Sequence, residues 1–252
     1  YPVETGDVVV GIGASVGPFS WKVAQKKPSR VVCLEPEPDL YRTMTKNLAS
    51  VSVPVTLLNA GISSQDGQHE LTGLFQADRT DLSDGSDSQQ VNTVTFDTLI
   101  RDQAIDRIDF LKVDCEGGEY DIFTDENRDW IMANVKKIAG EFHLHTPEQK
   151  KLFRRFRDTY LKALPNHKME SLDYVDMKWA LWDDWFIEKY SAVNIWIDNR
   201  DPSQQVKINL GQPKKWQKYP APTLEITTII PEKGCVVDCV FCPQRTLEKV
   251  YT

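Results

Sequence analysis

Short apolar runs recur through the first 200 residues with helix-forming stretches between them, and this alternation constrains the fold more than any other feature. The runs are Val8 to Ile12, Val31 to Leu34, Val55 to Leu58, Ile108 to Val113, Ile138 to Phe142 and Val193 to Ile197. Pro18 to Gln25, Pro38 to Ala49 and Pro147 to Leu164 read as helices. Each opens on a proline, which a first turn tolerates because its missing N–H would have no partner there. Strands separated by helices pair in parallel and leave the helices to cover both faces of the sheet. The expectation is an α/β fold with a mostly parallel sheet.

Composition removes several alternatives. With 40% hydrophobic and 27% charged residues, the chain matches an ordinary soluble domain. It has neither a run of ~18 apolar residues nor a charged-then-apolar leader, so no membrane partner is expected and the expected location is cytoplasmic. A formal charge of −7 argues against nucleic acid as a partner. The basic run Lys150-Lys151-Leu152-Phe153-Arg154-Arg155 reads as a solvated helix face. Five cysteines, with Cys33 and Cys115 inside apolar runs, do not form the framework of a secreted disulfide protein. Ser63 to Asn92, rich in Ser, Asp, Gln and Gly, reads as a surface insertion with a short hairpin or a mobile loop. Trp179 to Trp196 holds four tryptophans, which suit core packing plus a lid or a sugar-stacking platform. Residues 199 to 222 read as a linker.

The first run leads into Gly11-Ile12-Gly13-Ala14-Ser15-Val16-Gly17. Glycines let the backbone turn sharply and approach a ligand, and the helix that follows offers N–H groups to it. Spacing alone suits dinucleotide folds and methyltransferases equally. About 20 residues on, the second run ends in Glu35-Pro36, where a carboxylate accepts hydrogen bonds from the hydroxyls of an adenosine ribose.

Two further patterns gather ionisable groups at one edge of the sheet. In Lys112-Val113-Asp114-Cys115-Glu116-Gly117-Gly118-Glu119, alternation puts Lys112, Asp114 and Glu116 on one side. In Glu141-Phe142-His143-Leu144-His145, the same period aligns Glu141, His143 and His145. Carboxylates beside two histidines fit proton transfer or substrate orientation, a divalent metal, or packing.

Together, Gly13-Ala14-Ser15-Val16-Gly17, Glu35-Pro36, Asn47-Leu48, Asn59-Ala60-Gly61, Phe96-Asp97-Thr98-Leu99, Asp109 to Gly117 and Glu141-Phe142-His143 resemble the FkbM-type S-adenosylmethionine-dependent methyltransferases over residues 5 to 199. The resemblance implies a Rossmann-like class I methyltransferase fold whose seven-stranded sheet ends in an antiparallel strand, Val193 to Asp198. It implies S-adenosylmethionine held by Gly11, Gly13, Ala14, Ser15, Gly17, Glu35, Pro36, Asn59, Ala60 and Asp114. It also implies Lys112, Asp114, Glu116, Glu141 and His143 as catalytic residues, with His143 or Asp114 as the base, and O-methylation of a small-molecule or glycan acceptor. Where the family carries Asp, this chain has Gly11, which removes an acceptor from the cofactor's methionine end. A second reading is therefore a catalytically impaired cofactor-binding or interaction module attached to a radical S-adenosylmethionine enzyme. A nicotinamide dehydrogenase would leave the Lys112 to Glu116 block without a role.

Beyond the linker, Leu224 to Ile230 and the C-x3-C-x2-C spacing of Cys235, Cys239 and Cys242 resemble the start of a radical S-adenosylmethionine domain at 223 to 252. That resemblance implies a 4Fe–4S cluster held by the three thiolates in a longer polypeptide. Three cysteines with no nearby fourth ligand leave a zinc site incomplete. The chain opens on Tyr1 and stops ten residues after Cys242, so a piece of a larger protein is expected.

Overall fold

The computed structural model describes residues 2–71, 89–162, 168–171, 184–200 and 203. In chain order the first elements are β1 (Val8–Ile12), α1 (Pro18–Ala24), β2 (Arg30–Leu34), α2 (Pro38–Leu48), β3 (Val55–Leu58), β4 (Gly61–Ile62), β5 (Gly67–Leu71) and β6 (Gln89–Val94). Then follow α3 (Phe96–Asp102), β7 (Phe110–Val113), α4 (Glu119–Ile122), α5 (Asp125–Asn134), β8 (Lys137–His143), α6 (Pro147–Phe156), β9 (Lys168–Ser171), α7 (Asp184–Lys189) and β10 (Ala192–Asp198).

Seven strands form one sheet in the order β3-β2-β1-β7-β8-β10-β9. The pairs β1 with β2, β1 with β7, β2 with β3 and β7 with β8 are parallel. β10 runs antiparallel to β8, and β9 antiparallel to β10. The chain thus walks outward from β1 to β3 and returns to place β7 on the other side of β1. The order reverses between β1 and β7, and such a switch point opens a crevice at the carboxyl ends of the strands. Gly13 and Asp114 are the residues that leave those two strands.

The central strands are mostly apolar because both faces are covered. On one face Phe19, Val23, Met44 and Leu48 of α1 and α2 pack on Val9, Val31, Phe110 and Trp196. On the other, Phe96, Leu99, Ile122, Ile131, Phe153 and Phe156 cover Val10, Ile12, Leu111, Val113 and Phe142. Cap chemistry sets several helix starts. Glu37, Thr95 and Thr124 accept from N–H groups of the first turns of α2, α3 and α5, and Thr146 with Gln149 forms a capping box for α6.

The structure departs from the sequence expectations in places. Ladder pairing of the fourth run starts at Phe110, with Ile108 held in an isolated bridge to Val135. The helix expected to reach Leu164 is α-helical to Phe156 and widens into a π-helical turn over Arg157–Leu161, where the Tyr160 hydroxyl donates to the Thr124 carbonyl. Within the expected insertion, β5 and β6 are antiparallel and form a separate sheet with β4, while residues 72–88 lie outside the described residues. The basic run does lie on a solvated face of α6, with Lys151 and Arg155 exposed, and there it is paired: Lys150 and Arg154 meet Glu188, and Arg155 meets Asp125. Of the four tryptophans, Trp196 is core and Trp185 is 61% exposed, while Trp179 and Trp182 lie outside the described residues.

Packing continues into the first residues of the expected linker. Asn199 Nδ2 donates to the Met132 carbonyl, and Arg200 pairs with Asp198 and Glu4. The remaining linker, apart from Ser203, and the segment with Cys235, Cys239 and Cys242 lie outside the described residues. No helix among the described residues is long and apolar enough to cross a membrane.

Candidate functional site

The turn after β1 is fixed by backbone contacts that only glycine permits. Gly13 has φ +75°, and a Cβ there would fall 1.6 Å from the Asp114 carbonyl oxygen. The amides of Gly13 and Ala14 both donate to the Leu34 carbonyl, at 3.1 and 2.8 Å, tying the turn to the end of β2. Gly17, at φ +87°, lies against Met44 and Leu48, and Asn47 Nδ2 donates to the Val16 carbonyl at 2.8 Å. Ser15 sits in the left-handed region at φ +50°, a strained position for a residue with a Cβ.

That strain aims the Ser15 amide at Glu35. Glu35 Oε2 accepts from it at 2.7 Å, while Oε1 accepts from the Glu37 amide at 2.9 Å. Glu35 is 2% exposed. Burial pushes its carboxyl up to about 7, against the pull of the Glu37 and Ser15 amides. Each oxygen keeps acceptor capacity beyond its one bond, and this donor-seeking carboxylate beside a glycine turn fits the hydroxyls of an adenosyl ligand. Asn59 Nδ2 donates to the carbonyls of Glu35 and Pro36 at 2.9 and 3.0 Å, and Ala60 is buried next to it. Position 11 behaves differently from position 13. A Cβ on Gly11 would lie 3.6 Å from the Phe19 ring and 3.9 Å from Ser20 Oγ, so a side chain there enters the layer under α1.

The acidic edge lies next to this turn. Lys112, 6% exposed, donates from Nζ to the Gly13 carbonyl at 3.2 Å and to Asp114 Oδ2 at 3.1 Å. β7 ends at Val113, and Glu116 turns out of strand geometry with φ +55°, followed by Gly117 at +114°. The turn brings Glu116 Oε2 to 3.3 Å from His143 Nε2. Glu119, fully buried at the start of α4, places Oε1 2.8 Å from His143 Nδ1 and also accepts from the Cys115 amide at 3.1 Å. The Tyr120 hydroxyl donates to the His143 carbonyl at 2.6 Å. His145 is exposed, its ring centroid 5.3 Å from that of His143.

Electrostatics follow from crowding four carboxylates. Glu141 is 7% exposed, and its Oε2 has no hydrogen-bond partner among the described residues. Burial first, and then the charge of Asp114, raise its carboxyl to about 7. Burial works against a charge on His143, but the Glu119 hydrogen bond and the charges of Glu119, Glu116 and Asp114 outweigh it and lift the imidazole to about 9. Burial raises Glu116 as well.

Lys112, Asp114, Glu116, Glu141 and His143 therefore meet in one cluster, with His145 at its rim. Sequence alternation pointed to Lys112 and Asp114 side by side, whereas Glu116 reaches the cluster through a left-handed turn. Glu119 was not singled out as a site residue. Its only sequence signal is an acidic residue just after Gly117-Gly118, and nothing in a linear pattern says that a four-residue helix turns it inward. As struts of the turn, Asn47 and the Ser15 amide carry no linear signal either, since the Asn47 side chain bonds a backbone carbonyl and Ser15 acts through its own amide.

Comparison with known proteins follows the same outline. The sequence matches the methyltransferase FkbM domain over residues 11–174. The hexuronic acid methyltransferase AglP of Haloferax volcanii is 26% identical over 141 residues, 56% of this chain and 57% of that protein; the chain thus matches little more than half of that relative's length. Among solved structures, an O-methyltransferase from Bacillus cereus in complex with SAH aligns at TM-score 0.44 and 14% identity, covering 76% of this chain and 74% of that one. An rRNA methylase from Streptococcus thermophilus aligns at TM-score 0.45 and 8% identity, covering 78% and 88%. Both superpositions stay below 0.5, so family membership rests on the sequence match. Since that match takes in the glycine turn, the acidic edge and more than half of the 252 residues, the chain belongs to the FkbM family of methyltransferases.

Proposed function

We propose that this chain moves a methyl group from S-adenosylmethionine to a hydroxyl oxygen of a sugar. A uronic acid is the acceptor class suggested by the similarity to the hexuronic acid methyltransferase. One observation carries the reading. Lys112 bridges the Gly13 carbonyl and Asp114, so a turn suited to an adenosyl group and an edge suited to a polar acceptor share one crevice.

When bound, the cofactor supplies an electrophilic methyl on a sulfonium. The residues supply position and proton removal. Glu35 would accept from the ribose hydroxyls, with the Glu35-Pro36 strap pinned by Asn59. Gly13, Ala14, Ser15 and Gly17 would line the cofactor, and Asp114, held by Lys112, would bond its methionine end. Orientation of this kind contributes about 7–11 kcal/mol in favourable cases.

The proton of the acceptor hydroxyl goes to Glu141. Both His143 nitrogens are engaged by Glu116 and Glu119, and an Asp114 oxygen is engaged by Lys112, whereas Glu141 Oε2 has no partner among the described residues. A base so placed contributes about 10²–10⁴-fold.

Incubation with S-adenosylmethionine carrying a ¹³C methyl, together with a panel of hexuronic acids and neutral hexoses, tests the reading by mass and NMR. A new O–¹³CH₃ ether on a sugar is the expected product. Label found only on nitrogen or carbon acceptors, or no label on any hydroxyl, would overturn it.

A further inference from the structure

Glu116, His143 and His145 each bring one ligating atom to within 4.8 Å of the other two. We propose that these three side chains hold a first-row divalent cation that binds the acceptor through its reacting hydroxyl and a neighbouring hydroxyl or carboxylate. The acceptor half of this inference rests on the methyltransferase reading; the cation site does not.

The orientation of His143 is the first support. Its Nδ1 is taken by Glu119 at 2.8 Å, which leaves Nε2 turned toward Glu116 Oε2 at 3.3 Å, and a cation binding there displaces the Nε2 proton. A buried carboxylate that fixes one imidazole nitrogen so that the other ligates is the usual support of a metal-bound histidine. The Tyr120 hydroxyl holds the same residue from its carbonyl, so the backbone that carries the ring is anchored as well.

Unmet demand for positive charge is the second. Glu141 Oε2 and Glu119 Oε2 are buried without hydrogen-bond partners among the described residues. Glu141 stands two residues before His143 on β8 and so shares its side of the strand, and its charge is coupled to those of Asp114, His143, Lys112 and Glu116. Buried carboxylate oxygens are costly unless paired or close to a cation.

Ligand chemistry points to the class of ion. Two imidazoles and one carboxylate favour Mn, Fe, Co, Ni or Zn over Mg or Ca, and three protein ligands leave positions open for a substrate. Ligand atoms around a cation at about 2.0–2.2 Å stand roughly 3–4.4 Å apart. Glu116 and His143 already satisfy this, and rotation of the exposed His145 ring completes the set. A 1,2-diol or an α-hydroxy acid offers two oxygens for the open positions.

In the resulting step the cation lowers the affinity of the hydroxyl for its proton, which passes to Glu141. An oxygen lone pair forms the O–CH₃ bond as the S–CH₃ bond breaks, and that bond's electron pair stays on sulfur as a neutral thioether. The cation does not change oxidation state.

Cobalt(II) is the probe, titrated into metal-stripped full chain in which Cys235, Cys239 and Cys242 are changed to Ser so that their thiols do not compete. Visible absorption and calorimetry report binding, and S-adenosylhomocysteine is titrated in parallel. One cobalt per chain is expected, lost in His145→Ala and weakened about 10–100-fold in Glu119→Gln. Because His145 is exposed, its loss leaves the fold and S-adenosylhomocysteine binding intact. S-adenosylhomocysteine binding without cobalt binding, or cobalt binding unchanged in His145→Ala, would overturn the cation site and leave the methyltransferase reading standing. Cobalt binding that depends on His145, without S-adenosylhomocysteine binding, would support the site and sink that reading instead.

Discussion

Lys112 Nζ donates to the carbonyl of Gly13 across 3.2 Å, so the strand that carries the acidic edge also fixes the glycine turn. The same ammonium meets Asp114 at 3.1 Å with both side chains largely shielded, 8% and 16% exposed. Removing one member of a shielded pair leaves the other uncompensated and costs about 3–5 kcal/mol. Lys112→Met is expected to lower stability by this amount in urea unfolding and to weaken S-adenosylhomocysteine binding, with Lys112→Arg milder on both. Equal stability of Lys112→Met and the parent would show that the bridge is not structural.

The two glycines of the turn make opposite predictions. At position 13 a methyl group would overlap the Asp114 carbonyl, so Gly13→Ala is expected to cost at least about 4 kcal/mol or to prevent folding. At position 11 the same methyl meets only ordinary contacts with Phe19 and Ser20, and Gly11→Ala should change stability by less than about 1 kcal/mol. Thermal unfolding of the pair checks the contrast.

Glu35 links stability to pH. In the folded chain its carboxyl is raised from 4.5 to about 7, so the folded state keeps a proton that the unfolded state has lost between those values. Its contribution is fully present below about pH 4.5 and is lost as pH rises toward 7, on the order of 3 kcal/mol at about 1.4 kcal/mol per pH unit. Glu35→Gln should remove this component of the pH profile, measured as the difference between the two urea midpoints. Ribose hydroxyls donate best to the ionised carboxylate, so cofactor affinity should move the opposite way and tighten through pH 7.

Glu141→Gln separates chemistry from binding. The amide keeps the shape but cannot take the proton, so kcat is expected to fall about 10²–10⁴-fold while S-adenosylhomocysteine affinity stays unchanged. A parallel loss of both would assign Glu141 to cofactor binding instead.

Much of this architecture is legible in the sequence because buried parallel strands write themselves as unbroken apolar runs. Val8 to Ile12 and Val31 to Leu34 fall where the strands lie, and the proline openings of α1, α2 and α6 mark true helix starts. The short strands β4 and β9 and the four-residue helix α4 escape because so few residues carry no period. At the site, alternation correctly pairs Lys112 with Asp114 but fails past Asp114, where Glu116 and Gly117 take positive φ. Glu119 reaches His143 only through that turn. Contacts made by backbone amides, such as Ser15 to Glu35, leave no side-chain signature at all.

Calorimetric titration with S-adenosylhomocysteine, in the parent chain and in Glu35→Ala, tests the central claim most directly. Saturable one-to-one binding is expected for the parent, weakened about ten- to hundredfold in the variant by loss of charge-assisted hydrogen bonds to the ribose. No binding to the parent, or equal affinity in Glu35→Ala, would contradict the assignment of this crevice to S-adenosylmethionine.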